Sequence, residues 1–254
     1  MKSLGKVPIE GLKQEPYKSV LCYPKPNEAE AQNRIDELMR LGVEAVEFTG
    51  QAFAFTVPVL GKGYVGVVVV AYVGGQRYAL KMRRVDADRE SLEREAELLR
   101  KANGVEVGPK FLAVGRDFLL MELVDGDLLA DWLEMHRDKE VIRRVLADIL
   151  EQCWRLDEAG LDHGELSKAP KHLLVDKSEK PFVVDFETAS VERRMSNVTA
   201  VAQFLFQGKS DAARLIAEAF GQTDMDKLVE ASRRYKNNRS RPNFEALMQV
   251  CLSL

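Results

Sequence analysis

Strand patterns dominate the first half of this chain and helix patterns the second. Met1 to Pro26 is polar and broken by Pro8, Pro16, Pro24 and Pro26, with one short apolar stretch at Val20-Leu21-Cys22. It reads as extended or loosely ordered. Asn27 to Leu41 reads as a helix. Asn27 is placed to cap it, Glu30 stands where a capping-box acid belongs, and Gly42 is placed to end it. Ala31, Ile35 and Leu38 give that helix one apolar face. Val57 to Arg83 reads as three strands. Gly61 to Gly66 interrupts the first two, and Gly74-Gly75 turns a hairpin between the second and third. Asp88 to Asn103 reads as a helix and Lys110 to Val124 as a strand pair. Leu128 to Ala159 is helical with a break near His136 to Asp138. Leu173 to Asp185 reads as a hairpin turning at Lys177 to Lys180, and the pattern from Asn197 onward is helical. Strands first and helices second predict an α+β protein with two lobes.

Charge and composition narrow the classes. The chain has 254 residues, 37 Lys+Arg against 40 Asp+Glu, a net charge of -3, 46% hydrophobic and 30% charged residues. That composition is globular and gives no strong general field for nucleic acid or an anionic membrane. The longest essentially apolar run, Val65 to Gly75, is far short of the ~20 residues of a membrane helix. Met1 to Val20 has no stretch of signal-peptide type. Cys22, Cys153 and Cys251 are widely spaced and odd in number, which favours a reducing, cytoplasmic setting over a disulfide framework or a zinc site.

Three segments carry candidate chemistry. Gly61-Lys62-Gly63-Tyr64-Val65-Gly66 precedes the β-branched run Val67 to Tyr72, so this glycine loop joins strand to strand. A dinucleotide fingerprint would open a helix instead, and the Walker A pattern lacks its Lys-Ser or Lys-Thr. Strand alternation puts Tyr78, Leu80 and Met82 on one face and Ala79 and Lys81 on the other, which Lys81 would share with the glycine loop. In the Asp88 to Asn103 helix, Leu92, Ala96 and Leu99 form the apolar stripe, and Glu95 falls within it. A carboxylate facing a core needs a partner, and Lys81 is the obvious one. A plain hairpin turn, a solvated Lys81 and a boundary Glu95 are the bland alternatives.

Together these segments resemble the N-lobe of a protein kinase. Leu120-Met121-Glu122-Leu123-Val124-Asp125-Gly126 resembles the kinase hinge, with Met121 in the gatekeeper place. Leu156 to Leu166 resembles the end of the long C-lobe helix running into the catalytic loop. Its His163-Gly164-Glu165-Leu166 is closer to the RIO and KEOPS-associated kinases than to the common H-R-D-L form. Phe182-Val183-Val184-Asp185-Phe186-Glu187 resembles the strand ending in the D-F-G metal motif. The resemblance runs from about Val57 to about Ser190, and its specificity lies in several elements standing in the right order. It is to an archaeal-type, atypical, RIO-like serine/threonine protein kinase.

That resemblance implies a two-lobed kinase-like fold: an N-terminal extension over 1–56 with one helix at 27–41, an N-lobe over 57–124 and a reduced, mostly helical C-lobe over 125–254. It implies ATP between strands and helices, with Gly61, Gly63 and Gly66 over the phosphates and Val68 and Ala79 against the adenine. Met121 and the backbone of Glu122 and Leu123 would line its edge. Lys81 would contact the α- and β-phosphates and pair with Glu95. Asp185 would be the principal ligand of Mg²⁺, or of Mn²⁺, with His172 or Glu187 a weaker second. Glu165 would be the catalytic carboxylate, and His163 a structural residue near Phe186.

Departures from the kinase pattern keep other readings open. Glu165 stands in place of the catalytic Asp. His172 replaces the metal-binding Asn, seven residues after that acid where the spacing is ordinarily five. Lys168 and Lys171 stand where they would reach phosphate oxygens or simply be solvated. Glu187 replaces the Gly of D-F-G, no A-P-E follows, and Thr188 to Ser196 leaves little room for an activation segment. A constitutively arranged site without an activation-loop switch is therefore expected. The basic run Arg233-Arg234-Tyr235-Lys236-Asn237-Asn238-Arg239-Ser240-Arg241 would touch RNA or an acidic partner, or be a solvated helix end. The leading expectation is a phosphotransferase acting on Ser/Thr hydroxyls. An ATPase or assembly factor, a pseudokinase scaffold and a small-molecule kinase stand beside it.

Overall fold

The fold is seen in a computed structural model that describes residues 2–252. The chain divides into two compact units, Met1–Glu97 with Lys110–Leu123, and Leu98–Pro109 with Val124–Leu254.

The first unit is built on an antiparallel sheet. Its strands are β1 (Lys2–Pro8), β2 (Ala45–Gly50), β5 (Gly61–Lys62), β6 (Gly66–Val73), β7 (Gln76–Arg83), β8 (Phe111–Val114) and β9 (Phe118–Glu122). The order is β1-β2-β6-β7-β9-β8, with β5 pairing β6. A separate hairpin joins β3 (Ala52–Ala54) to β4 (Val57–Val59). Gly74 and Gly75 both have positive φ, 54° and 74°, as a tight two-residue hairpin turn between β6 and β7 requires.

One face of this sheet makes the core. Val46, Phe48, Val67, Val69, Ala71, Leu80, Met82, Phe118 and Leu120 point into it. Helix α2 (Glu28–Arg40) covers them with Ala31, Ile35 and Leu38. The Asn27 side chain accepts from the Glu30 amide at 3.1 Å, so the cap reads from sequence as it forms in space.

Residues 2–26 are not loosely ordered. β1 pairs along β2, a turn of 3-10 helix spans Ile9–Lys13, and α1 covers Tyr17–Leu21. Ile9, Leu12, Val20, Leu21 and Cys22 are all buried in the same core. These apolar residues are too sparse to show a period. They are recruited because β2 offers an edge to pair with and α2 offers a face to cover.

The second unit is mostly helical. Its helices are α4 (Leu129–Met135), α5 (Lys139–Glu158), α6 (Asn197–Phe206), α7 (Asp211–Phe220), α8 (Met225–Asn237) and α9 (Arg241–Leu252). α3 (Glu93–Asn103) begins in the first unit and ends in the second. The break between α4 and α5 falls at His136 to Asp138, where Asp138 caps the amides of Glu140 and Val141. Along α5, Ile142, Val145, Leu146, Ile149, Leu150, Cys153 and Leu156 form a buried stripe at helical spacing. A small antiparallel sheet orders β10 (Gly126–Leu128), β11 (Leu173–Asp176) and β12 (Pro181–Val183). A mixed α+β architecture with a sheet-rich and a helix-rich unit is the fold class that the sequence pattern predicts. Among the described residues no helix is long and apolar enough to cross a membrane.

Candidate functional site

In the first unit the sheet register gathers the candidate residues on the face opposite the core. Val68 lies opposite both Gly61 on β5 and Lys81 on β7. Ala79 lies between Val70 on β6 and Met121 on β9. Cross-strand partners share a face, so Gly61, Val68, Ala79, Lys81 and Met121 stand together. Lys81 is only 4% exposed, and its Nζ lies 2.8 Å from Oε1 of Glu95, itself 3% exposed. Leu92 and Ala96 are fully buried beside Glu95. The apolar stripe of α3 thus carries its one acid to the one buried lysine among the described residues.

The three glycines differ. A Cβ at Gly66 would meet the Met82 carbonyl oxygen at 2.9 Å and Lys81 Cγ at 3.0 Å, so the bare backbone is what lets the lysine stem pass. At Gly63 the nearest atom to an added Cβ is 3.9 Å away, and at Gly61 it is 4.0 Å away. The turn is closed by the Gly63 amide donating to the Gly66 carbonyl at 2.8 Å. Glu122 donates its amide to the Lys110 carbonyl at 2.8 Å and accepts the Lys110 amide on its carboxylate at 3.0 Å. Its N–H is therefore committed within the unit. Met121, Glu122 and Leu123 are half-buried at the end of β9.

In the second unit the loop from Asp162 to Leu166 is held by side chains. The His163 amide donates to Asn197 Oδ1 at 2.8 Å, and Asn197 in turn donates its amide (3.0 Å) and Nδ2 (2.8 Å) to Asp157. Tyr235 adds its hydroxyl to Asp157 at 2.9 Å. Burial raises the Asp157 pKa against the pull of these donors, and burial together with the Asp157 charge raises that of the Tyr235 phenol.

His163 donates Nε2–H to the Val184 carbonyl at 3.0 Å and meets Phe186 edge-on at 5.2 Å between ring centroids. Burial lowers its pKa to about 4, so the ring is neutral and structural at ordinary pH. Gly164 has φ +93°, and a Cβ there would lie 2.4 Å from the Arg193 guanidinium. Arg193 Nε bonds Asp162 Oδ2 at 2.9 Å, and its Nη2 bonds the Thr188 carbonyl at 2.6 Å. The Thr188 hydroxyl donates to the His163 carbonyl at 3.0 Å, and Ser190 and Asp162 exchange backbone bonds. The segment after Glu187 is stitched along the loop that carries Glu165. Asp157, Asp162, Arg193 and Asn197 were not among the sequence candidates. The partners of the Asp162 and Asn197 side chains lie 31 to 40 residues away, beyond any local periodicity.

The sequence candidates for metal divide. Asp185 and Glu187 have carboxylate oxygens within 4.8 Å of each other, and both residues are half-buried. His172 stands outside that group; its Nε2 lies 3.5 Å from Oε2 of Glu165. Its replacement of the kinase Asn therefore gives Glu165 an imidazole neighbour. Asp185 has φ +69°, a left-handed backbone that Asp tolerates better than most residues with a Cβ. Two hard carboxylate donors suit Mg²⁺ or Mn²⁺ better than an imidazole does. Lys168 and Lys171 are exposed on the loop between Glu165 and His172.

The basic run near the C-terminus is largely used inside the chain. Tyr235 is 1% exposed and bonded to Asp157, so it offers no face for a base to stack on. Arg234 pairs with Glu230, Arg239 bonds the Met195 carbonyl, and Arg241 holds Glu151 and Glu245. Helical spacing put the aromatic and the cations on different faces, which a linear reading of the run hides.

Comparison with known proteins decides the family. The RIO domain matches residues 67–201, more than half of the chain. This chain belongs to the RIO domain family. The RIO match takes in Lys81, Glu95, Glu165, His172, Asp185 and Glu187 and begins just after Gly66. RIO proteins are an atypical kinase and ATPase family that uses ATP and a divalent metal. The chain is also similar to an uncharacterized protein of Methanocaldococcus jannaschii, 29% identical over 118 residues that span 46% of this chain and 98% of that protein.

Proposed function

We propose that this RIO-family protein is an ATP-dependent phosphotransferase that acts on serine or threonine hydroxyls of a protein. The observation that carries the reading is the buried Lys81–Glu95 pair, set on the same sheet face as the glycine loop. A buried lysine held by a fixed carboxylate is pre-oriented to bind phosphate oxygens rather than to wander in solvent. In this reading Lys81 binds the α- and β-phosphates. Gly61, Gly63 and Gly66 bring backbone close to them, and Val68, Ala79 and Met121 give the adenine an apolar wall, with Glu122 and Leu123 at its edge.

Asp185 and Glu187 would hold a divalent ion, which would supply charge neutralisation on the transferring phosphoryl group. Glu165 orients the acceptor hydroxyl and takes its proton as the oxygen attacks the γ-phosphorus, the bond from that phosphorus to the bridging oxygen breaks and ADP leaves. His172 Nε2, 3.5 Å from Glu165 Oε2, gives that carboxylate a polar neighbour. The bonds of Thr188, Ser190 and Arg193 to the loop support a site arranged without an activation-loop switch. A reducing, cytoplasmic setting belongs to the same proposal, supported by the free and buried thiols of Cys22, Cys153 and Cys251. RNA contact through Arg233 to Arg241 does not belong to it.

One observation favours an ATPase as the second reading. The Glu165 side chain is 41% exposed, open enough for water to take the place of an acceptor hydroxyl. Incubation with γ-labelled ATP and Mg²⁺ or Mn²⁺, separating phosphoprotein from free phosphate, distinguishes the two. Phosphoprotein is the expected product. Lys81→Met should lower transfer by about 100-fold or more while unfolding stays cooperative. Full activity in Lys81→Met would remove the lysine from the mechanism. Free phosphate without phosphoprotein would replace the kinase by the ATPase.

A further inference from the structure

Beside the loop that carries Glu165, the second unit contains a cavity of about 150 Å³. Gly164 and Ser167 line it from the loop, Ser196 and Gln203 from α6 and its cap, and Lys236 from the end of α8. Its one carboxylate, Asp162, is spent: one oxygen takes Arg193 Nε at 2.9 Å, and the other takes the Ser196 amide at 3.1 Å and hydroxyl at 3.3 Å. The donors are not spent. Among the described residues, Ser167 Oγ, the Gln203 side-chain amide and Lys236 Nζ make no hydrogen bond or ion pair within the chain. Two more guanidinium groups tie the cavity wall together, Arg194 on the Lys236 carbonyl and Arg239 on the Met195 carbonyl. They add positive charge around it without filling it. Ser167, Gln203 and Lys236 are exposed at its rim, so a small cavity with a neutralised acid, free donors and a free ammonium suits an anion.

We propose that this cavity is an acceptor subsite for an anionic group, a carboxylate or a phosphate, carried by the molecule that receives the phosphoryl group. The inference rests on the proposed phosphotransfer, because Gly164 and Ser167, which line the cavity, stand on the same loop as Glu165. The volume admits one such group and excludes a base or a folded segment. Two sources share this chemistry: an acidic residue close to the modified Ser or Thr of a peptide, and a small anionic alcohol.

The test has two arms and a direct binding measurement. Full-length protein is given labelled ATP with serine peptides flanked by Asp or Glu, by Ala or by Lys, and separately with glycerol phosphate and small hydroxy acids. Acidic acceptors should be preferred, and the arm in which they are used names the source. Lys236→Glu should raise the KM for the acidic acceptor roughly tenfold, the size of an exposed charge contact turned into repulsion, with the KM for ATP as internal control. Equal use of acidic and neutral acceptors, or an acidic preference that survives Lys236→Glu, would overturn the subsite. Inorganic phosphate is then titrated while the Ser167 amide and Gln203 side-chain amide are followed by NMR, expecting shifts that Lys236→Glu and Ser167→Asp each weaken. An absence of those shifts overturns the subsite even where transfer is robust. Shifts without transfer to any acceptor would leave the anion site standing and remove the phosphotransfer reading instead.

Discussion

The two units hold their candidate residues by different means. In the first, a backbone ladder does it: Lys81 faces Val68 and Leu119 because the strands pair in that register, and α3 then supplies Glu95. In the second, buried side chains do it: Asp157, Asn197, Asp162 and Arg193 fix the loop around His163 and Glu165. A ladder spreads its cost over many equivalent bonds. A polar hub concentrates it in one residue, and removing that residue strands several donors at once.

The sharpest way to break this contrast is Asp157→Ala. It leaves the Asn197 amide, Asn197 Nδ2 and the Tyr235 hydroxyl without their shared acceptor, in a place where Asp157 is 3% exposed. A loss of about 3–4 kcal/mol is expected in urea unfolding. A loss near zero would mean that the hub does not hold the second unit.

Next comes pH. His163 is held near pKa 4 in the fold against an ordinary value of 6.5. The unfolded chain therefore takes up the proton first. The stability from the neutral ring is complete above pH 6.5 and drains away as pH falls toward 4, by about 3 kcal/mol. His163→Gln should show a shallower fall in stability between pH 7 and 4.5 than the parent. Parallel profiles would assign the acid sensitivity to other groups.

The smallest effects grade the glycines. Gly164→Ala must accept φ +93° and displace Arg193, for about 2 kcal/mol. Gly66→Ala pushes on Lys81 and the Met82 carbonyl, for about 1–2 kcal/mol and a weaker nucleotide site. Gly63→Ala has 3.9 Å of room and should cost about 0.5 kcal/mol or less. Thermal melts and nucleotide titrations of the three rank them. An inverted order between Gly66 and Gly63 would show that the loop is gripped elsewhere.

Legibility followed the same division. The faces of β7, the stripe position of Glu95, the cap at Asn27 and the Gly74-Gly75 turn are local, periodic features, and the chain displays them in order. The N-terminal segment escaped because Val7, Ile9 and Leu12 are isolated apolar residues without a period, meaningful only once β2 and α2 are there to receive them. In the basic run at Arg233 to Arg241, the inward turn of Tyr235 to Asp157 was not legible, because it depends on which face of α8 is buried.

By itself the sequence determined the α+β order of elements, the shared face of the glycine loop and Lys81, and the succession of short motifs that mark the RIO family. Periodicity and turn chemistry act over a few residues, so a linear chain carries them openly. Tertiary structure alone decided that Glu165 neighbours His172, that the Glu187 carboxylate lies beside that of Asp185, and that Arg193 occupies the space Gly164 leaves free. The Glu165–His172 and Gly164–Arg193 pairings join residues separated in sequence. They exist only where packing has already brought the loops together and burial has made each polar group find a partner.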